Sequence, residues 1–220
     1  MNKVIIFGKN SVLTILKYKT RKVYNIYVLN QKIKQIVPKE YLSKVSLNTK
    51  IFNIKNNISH QGIAVEVSPL DTFELKDIGE KEKTIFIIDK IYDMRNLGSI
   101  MRTLVAFNFT SIVMNSNDFN QKNTSMLKTA SGAIEFLKIY KVNNINMAIK
   151  ILKKKGYYIF GFDLDSNQSI FDKKIYTEKN VFVFGSEDKG LKKLTKDSCD
   201  ITVKIPINDK VNSLNISNAL

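Results

Sequence analysis

The amino-acid sequence predicts an α/β protein in which a small amino-terminal α/β module precedes a larger domain with a mostly parallel sheet. Two observations carry this prediction. From Thr84 onward, apolar runs alternate with stretches of helical spacing, which is typical of parallel strands joined by helical crossovers. Residues 68–83 are instead polar and mixed in charge, as expected between two domains. The predicted bounds are 1–70 for the module, 71–83 for a linker and 84–220 for the larger domain.

The amino-terminal module contains short strands and one helix. Residues 23–29 are rich in β-branched and aromatic side chains, which favours a strand. Residues 11–17 have helical spacing behind Asn10, so we expect a helix capped by that side chain. Residues 51–54 and 63–67 have the composition of further strands.

The larger domain begins with a continuous apolar run at 84–89, as expected for a strand buried on both faces of a parallel sheet. Helical spacing follows at 97–107. The remaining predicted elements are strands at 110–114, 157–162, 181–185 and 201–206, and helices at 122–130 and 145–155.

The composition restricts the classes of function. With 35 Lys and Arg against 20 Asp and Glu, the formal net charge is +15, which predicts a polyanionic partner such as nucleic acid. Coding bias towards A and T also produces sequences rich in Lys, Asn and Ile, so charge alone leaves that alternative open. Cys199 is the single cysteine and His60 the single histidine, which excludes an internal disulfide, a cysteine-built zinc site and a His-rich metal cluster.

No apolar run reaches the ~18 residues that a membrane-spanning helix requires. The first residues lack the long apolar core and cleavage site of a secretory signal. We therefore expect a cytoplasmic protein without a membrane association.

Arginines are the first candidates for functional side chains, because the chain has only three of them: Arg21, Arg95 and Arg102. Two of them lie in one short segment, 93–102, which leaves a predicted strand and enters a predicted helix. The guanidinium fork suits phosphate or carboxylate better than a lysine does. Asn96 is expected to cap the helix. An ordinary surface salt bridge is the alternative for these arginines.

Two further segments have the composition of binding loops. At 181–191 a strand runs into Gly185 and a turn with Glu187 and Gly190, and two glycines around one turn indicate a close backbone approach. At 205–217 a polar loop follows a strand, with Ser213 as the expected cap of a last helix and Asn215 offering both a donor and an acceptor. Each segment alone also fits an ordinary strand, loop and helix. No predicted strand is followed by G-x-G-x-x-G, which argues against a dinucleotide-binding fold.

Together and in this order, these segments resemble the SpoU/TrmH family of the SPOUT methyltransferases. The opening residues 7–16 and residues 60–70 are similar to the family's small RNA-binding module. The matching motifs are Asn96-Leu97-Gly98 with Arg102, Ala130 to Glu135, Phe184-Gly185-Ser186-Glu187 with Gly190, and Ile205-Pro206 with Ser213-Leu214-Asn215.

The resemblance implies a SPOUT domain with a deep trefoil knot behind an L30e/L7Ae-like RNA-binding module. It implies that the protein transfers a methyl group from S-adenosyl-L-methionine to the ribose 2′-oxygen of a guanosine in 23S ribosomal RNA. The resemblance also implies that the enzyme is a homodimer and needs no metal. A tRNA methyltransferase of the same family and a non-catalytic knotted RNA-binding protein are the alternatives. The non-catalytic alternative is favoured by Asp188 and Asp209, which stand where the family usually has glycine. Met94 is a further departure, because the family usually has a proline before the Asn-Leu-Gly motif.

The resemblance also implies roles for individual residues. Arg102 would clamp the target phosphate and polarise the 2′-hydroxyl, because a guanidinium holds its proton too strongly to act as a free base. Asn96 and Ser213 would orient the hydroxyl, Glu187 and Asn215 would shape the pocket, and Glu135 would support the fold near Arg102. The implied cofactor contacts are Phe184, Gly185, Ile205, Ile207 and Leu214.

Overall fold

The computed structural model describes residues 3–53 and 60–220. The chain divides into two compact units, and each is assembled from segments that are separated in sequence. The first unit comprises Met1–Asp71, Met94–Arg102 and Asn120–Phe136, and the second comprises Thr72–Asp93, Thr103–Phe119 and Leu137–Leu220. The domain bounds derived from the sequence stay a prediction.

The first unit contains a four-stranded mixed sheet in the order β1-β4-β2-β3. Strand β4 runs antiparallel to both β1 and β2, whereas β3 is parallel to β2. The strands are β1 (Val4–Phe7), β2 (Val23–Val28), β3 (Val45–Leu47) and β4 (Ile63–Val67). The helices are α1 (Lys9–Tyr18), α2 (Gln31–Lys34), α4 (Thr124–Ala130) and 3-10 turns at Lys39–Lys44, Lys50–Phe52 and Ala133–Phe136.

Two expectations for the first unit are wrong. Helix α1 begins at Lys9 behind Gly8, with no side-chain cap, and Asn10 lies inside the helix, where its amide donates to Ser131 Oγ at 2.9 Å. Residues 50–52 form a 3-10 turn where a strand was predicted, and residue 54 lies outside the described residues. The turn forms because the Asn48 side chain accepts the Ile51 N–H at 3.2 Å, a local bond that competes with strand pairing.

The second unit is built on a six-stranded sheet in the order β10-β8-β9-β5-β6-β7, and every pair is parallel. This confirms the α/β class with a mostly parallel sheet. Strand β7 had not been predicted. The strands are β5 (Thr84–Ile88), β6 (Ser111–Asn115), β7 (Lys138–Val142), β8 (Tyr158–Phe162), β9 (Asn180–Phe184) and β10 (Ile201–Val203).

Helix α3 (Met94–Ala106) contributes residues to both units. The second unit also contains α5 (Ile145–Lys154), α6 (Lys193–Ser198), α7 (Ile216–Ala219) and 3-10 turns at Leu75–Asp77 and Lys173–Ile175. Within the described residues, no helix has both the length and the apolar character needed to cross a membrane.

The two faces of the parallel sheet have different cores. On one face, α5 buries Ile145, Ala148, Ile149 and Leu152, the helical spacing that places an apolar stripe against a sheet. The other face is aromatic, because side chains alternate along each strand. Its rings are those of Phe86, Phe160, Phe162, Phe182 and Phe184, and the Phe162 and Phe184 rings stack with centroids 4.1 Å apart.

The segment expected to be a linker contributes to the core of the second unit. Leu75 and Ile78 are buried in the same cluster as the residues of α5. Phe73 N–H donates to Ile139 O at 2.9 Å, and Glu82, with 4% of its side chain exposed, pairs with Lys138. Residues 73–82 are therefore ordered by burial against β7 and α5, although their composition is polar.

Candidate functional site

Helix α3 carries the arginine-containing motif. The helix begins at Met94, so Asn96 lies in its first turn and is not the capping residue. Asp93, which is of a favoured capping type, stands immediately before the helix. The stripe Leu97, Ile100, Met101 and Leu104 is fully buried, whereas Arg102 is exposed. An exposed guanidinium on a helix with a buried apolar side is available to a ligand.

Gly98 of this motif permits a close contact between α3 and α4. A Cβ atom at Gly98 would lie 2.4 Å from the carbonyl oxygen of Met126 and 2.9 Å from the amide nitrogen of Ala130. Both neighbours are backbone atoms, so no side chain can move aside to make room. The glycine is therefore required by packing one turn before Arg102, inside the first unit.

Glu135 is the centre of a buried ion pair that the sequence did not reveal. Its carboxylate accepts from Arg21 Nε at 2.8 Å, from Arg21 Nη2 at 2.7 Å and from Thr20 Oγ1 at 2.8 Å. Only 2% of the Arg21 side chain and 1% of the Glu135 side chain are exposed. The sequence did not identify a partner for Arg21, although the rarity of arginine in this chain indicated that the residue has a specific one. The motif residue Glu135 thus holds the segment between α1 and β2.

The loop after β9 is a tight turn closed by its own backbone. Ser186 N–H donates to Gly190 O at 3.0 Å, and Gly190 N–H donates to Ser186 O at 2.9 Å. A Cβ atom at Gly185 would lie 2.0 Å from the carbonyl carbon of Gly190, and Gly190 itself has φ +62°. Glu187 is half-buried in this turn and Asp188 is exposed. Gly185 and Gly190 were predicted to allow a close backbone approach. In the structure, the backbone segments that approach each other are the two ends of this loop.

The loop after β10 differs from the prediction at both ends. The strand ends at Val203, before Pro206. Helix α7 is capped by Asn215, whose Oδ1 accepts from Ser217 N at 2.9 Å, so the prediction that Ser213 caps it is wrong. The cap position follows from where the helix hydrogen bonds begin, and Asn218 N and Ala219 N both donate to Asn215 O. Ser213 is exposed in the loop that leads to the cap.

The parallel sheet places these two loops at one edge of the second unit. Strands β9 and β10 flank β8, so their carboxyl ends lie two strand spacings apart, roughly 10 Å. Ligands of open parallel sheets bind beyond the carboxyl ends of the strands. Of the expected cofactor contacts, Phe184 is the last residue of β9, Gly185 follows it, and Ile205, Ile207 and Leu214 follow β10. Asn96 and Arg102 belong to the first unit.

The residues after β9 and β10 fit an adenosine-containing ligand. Ile205 and Ile207 are half-buried, and Leu214 is 38% exposed on the loop before α7. Partly exposed apolar side chains and the backbone groups of a turn are the two kinds of surface that a purine requires. Among the described residues, no group of three or more His, Cys, Asp and Glu side chains could hold a metal ion.

Comparison with known proteins identifies relatives along the chain. The model of the SpoU rRNA methylase family matches residues 83–220. An uncharacterized tRNA/rRNA methyltransferase of Synechocystis is 35% identical over 176 residues, covering 77% of this chain and 46% of that protein. One from Borreliella burgdorferi is 30% identical over 200 residues, covering 85% and 87%. The 23S rRNA (guanosine-2′-O-)-methyltransferase RlmB of Blochmanniella floridana is 28% identical over 230 residues, covering 97% and 89%. This chain therefore spans about half of the Synechocystis protein and most of the other two.

Solved structures share the fold. The AdoMet-bound rRNA methyltransferase from Sinorhizobium meliloti superposes with a TM-score of 0.81 at 19% identity, covering 99% of this chain and 83% of that one. The SpoU methyltransferase AviRb from Streptomyces viridochromogenes, in complex with AdoMet, gives 0.78 at 16% identity, covering 99% and 86%. At these identities the likeness concerns the fold.

Proposed function

Because this chain belongs to the SpoU rRNA methylase family, we propose that it transfers a methyl group from S-adenosyl-L-methionine to a ribose 2′-oxygen in large-subunit ribosomal RNA. The observation that carries the proposal is the family match over 83–220, which contains all four matching motifs in their expected order. A guanosine as the target is supported by the names of two relatives, from Blochmanniella floridana and Pseudomonas putida, at 28% and 31% identity.

The proposed cofactor site lies beyond the carboxyl ends of β9 and β10. Phe184 and Gly185 would supply backbone groups, and Ile205, Ile207 and Leu214 would enclose the adenine. The fit rests on the partly exposed apolar residues and on the narrow turn at Gly185. AdoMet bound to the S. meliloti and S. viridochromogenes enzymes, which share this fold, supports the same ligand here.

The proposed mechanism depends on positioning. The bound donor supplies an activated methyl group on its sulfonium, so the protein must mainly align the ribose hydroxyl. Arg102 is exposed, and its guanidinium would clamp the target phosphate and polarise the 2′-hydroxyl. Ser213 would orient that hydroxyl from the loop before α7, and Asn96 would do so from α3. Glu187 would shape the turn after β9, and Asn215 would hold the last loop by capping α7.

The finer architecture is also part of the proposal. A trefoil knot formed by the loops after β9 and β10, an L30e/L7Ae-like amino-terminal module and a homodimer follow from the family resemblance. The likeness to solved structures over 99% of the chain supports the shared fold on which these expectations depend. We expect an enzyme that acts on ribosomal RNA to work in the cytoplasm.

The alternative of a non-catalytic RNA-binding protein rested on Asp188 and Asp209. Both side chains are exposed. Asp209 lies in a turn in which Val211 N–H donates to Asn208 O at 3.0 Å, a position that aspartate suits as well as glycine. These observations favour a working cofactor site.

The deciding experiment incubates the full chain with methyl-labelled S-adenosyl-L-methionine and with unmodified 23S ribosomal RNA or unmodified tRNA. We expect label at one ribose of the 23S RNA, located as a site resistant to alkaline cleavage. Label in tRNA alone would establish the tRNA methyltransferase alternative. Calorimetric binding of the cofactor without any methyl transfer to either RNA would establish the non-catalytic alternative.

A further inference from the structure

A polar cavity of about 410 Å³ opens in the second unit beyond the carboxyl ends of β5, β6 and β7. It lies on the other half of the sheet edge from the loops that follow β9 and β10. Its wall combines two carboxylates, two lysines and several side-chain amides, among them Asp89, Asp118, Lys90, Lys192, Asn115 and Asn146. None of these residues has a role in the proposed methyl transfer.

The cavity wall is held in place by hydrogen bonds. Asp89 is 9% exposed, its Oδ2 accepts from Thr195 Oγ1 at 3.2 Å, and its backbone N–H donates to Phe184 O at 2.9 Å. Asn115 accepts from Asn117 N at 3.0 Å and donates to Asn143 O at 3.2 Å. The Phe184 bond connects this wall directly to the start of the proposed cofactor loop.

One polar atom of the cavity wall lacks a protein partner. The Oδ1 atom of Asn146, in the first turn of α5, is buried and accepts no hydrogen bond from the described part of the chain. Buried polar atoms in folded proteins are nearly always paired. Asn146 therefore has a hydrogen-bond acceptor that no group in the described part of the chain uses.

The charges in the cavity favour hydrogen-bond donors at Asp118. Burial raises the pKa of this carboxyl, Lys90 opposes that effect, Asp89 adds to it, and Lys192 opposes it more weakly. A carboxylate that has lost part of its hydration gains from N–H donors, which restore its hydrogen bonds.

An exposed aromatic ring adjoins the cavity. Tyr92 is 57% exposed, and the Lys90 ammonium lies 5.0 Å from the centroid of its ring. Proteins that read single-stranded RNA stack unpaired bases on such rings and bond the base edges with nearby polar side chains. Carboxylate, ammonium, amide and aromatic groups thus occur together in one place.

We propose that this cavity binds a guanine base of the substrate RNA. Guanine presents two adjacent donors, N1–H and N2–H, that match a carboxylate, and two acceptors, O6 and N7, that match lysine. Adenine has an acceptor at N1, which a carboxylate repels. The inference rests on the proposed RNA substrate, and the cavity supplies base specificity that the motif residues do not.

The test compares the isosteric variant Asp118→Asn with the control Asp165→Asn, an exposed aspartate that follows β8. The side-chain amide signals of the asparagines are followed by NMR during titration with guanosine 5′-monophosphate or adenosine 5′-monophosphate. These ligands share ribose and phosphate, so a difference reports the base. We expect the guanine nucleotide to bind the unchanged chain and the control at least tenfold more tightly than the adenine nucleotide. Asp118→Asn should abolish that preference.

A second measurement uses methyl transfer to RNAs in which each guanine near the modified ribose is replaced in turn by adenine. At one position, the replacement should reduce kcat/KM at least tenfold for the unchanged chain and the control but not for Asp118→Asn. Equal binding of the two nucleotides, or an unchanged preference in Asp118→Asn, would overturn the guanine site. The titration needs neither cofactor nor turnover, so guanine binding without methylation of any RNA would refute the proposed function alone.

Discussion

At the scale of single residues, the buried pair of Arg21 and Glu135 dominates the first unit. The guanidinium makes two hydrogen bonds to a carboxylate that is 1% exposed. Replacing Arg21 with Met would leave the Glu135 charge buried, with Thr20 as its one remaining hydrogen-bond donor among the described residues. Removing one partner of such a pair typically costs about 3–5 kcal/mol. We therefore expect the free energy of unfolding of this variant, measured by urea denaturation, to be lower by a similar amount.

The double variant Arg21→Met with Glu135→Leu provides the control, because it removes both charges at once. It should recover most of the stability lost by Arg21→Met alone, since uncharged groups need no pairing. If the single variant is as stable as the unchanged chain, the pair does not hold the segment between α1 and β2.

Arg102 is the residue on which methyl transfer is expected to depend. Arg102→Ala should abolish transfer to RNA while calorimetry shows nearly unchanged binding of S-adenosyl-L-methionine, because its guanidinium is assigned to the phosphate and not to the cofactor. Arg102→Lys retains the charge but loses the planar fork, so it should keep only a small part of the activity. Full activity in the alanine variant would refute the assigned role.

At the scale of elements, Gly98 controls how closely α3 and α4 pack. Gly98→Ala would place a methyl group 2.4 Å from the Met126 carbonyl oxygen and force the helices apart. We expect a loss of about 1–3 kcal/mol from this overpacking, measured as a lower melting temperature. Ser99→Ala, at the next position of the same helix, is the control and should have little effect. An equal melting temperature for both variants would contradict the packing argument.

Two residues of the loop after β10 have different expected roles, because Asn215 caps α7 whereas Ser213 is assigned to the substrate. Asn215→Ala removes the cap of α7, which is worth roughly 1 kcal/mol, and should weaken cofactor binding by loosening the loop. Ser213→Ala should leave cofactor binding nearly unchanged and lower kcat for RNA. Calorimetry with the cofactor alone and steady-state methylation kinetics distinguish the two effects. The reverse pattern would show that the two assignments must be exchanged.

The elements also show what sequence reasoning could reach. Residue types identified good capping residues, but Asn10, Asn96 and Ser213 were each placed wrongly at a helix start. A cap is defined by where backbone hydrogen bonding begins, and tertiary packing shifts that point by a turn or less. Most strands and helices of the second unit were predicted closely because their burial pattern is continuous, as in the apolar run of β5. Strand β7, in which Lys138 and Lys141 interrupt the apolar residues, was missed.

At the scale of the whole molecule, the sequence predicted the parallel sheet but not the partners of individual side chains. Arg21 and Glu135 are 114 residues apart in sequence, and no local pattern links them. The same holds for the cavity beyond β5, β6 and β7, since its residues come from the ends of separate strands and from α5 and α6. Only strand order brings them together, and strand order is not encoded in local periodicity.

The net charge of +15 gives a prediction for the whole chain. Lysines that contact phosphates release bound cations from the RNA, so affinity falls with salt, with a log–log slope of roughly −0.7 per phosphate contact for single strands. Filter binding of 23S ribosomal RNA fragments should weaken at least tenfold between 50 and 200 mM salt, on the order expected for several phosphate contacts. Binding of S-adenosyl-L-methionine, measured on the same samples, should change far less because its proposed site is apolar. If RNA affinity were the same at both salt concentrations, the lysine-rich composition would reflect coding bias and not a phosphate-binding surface.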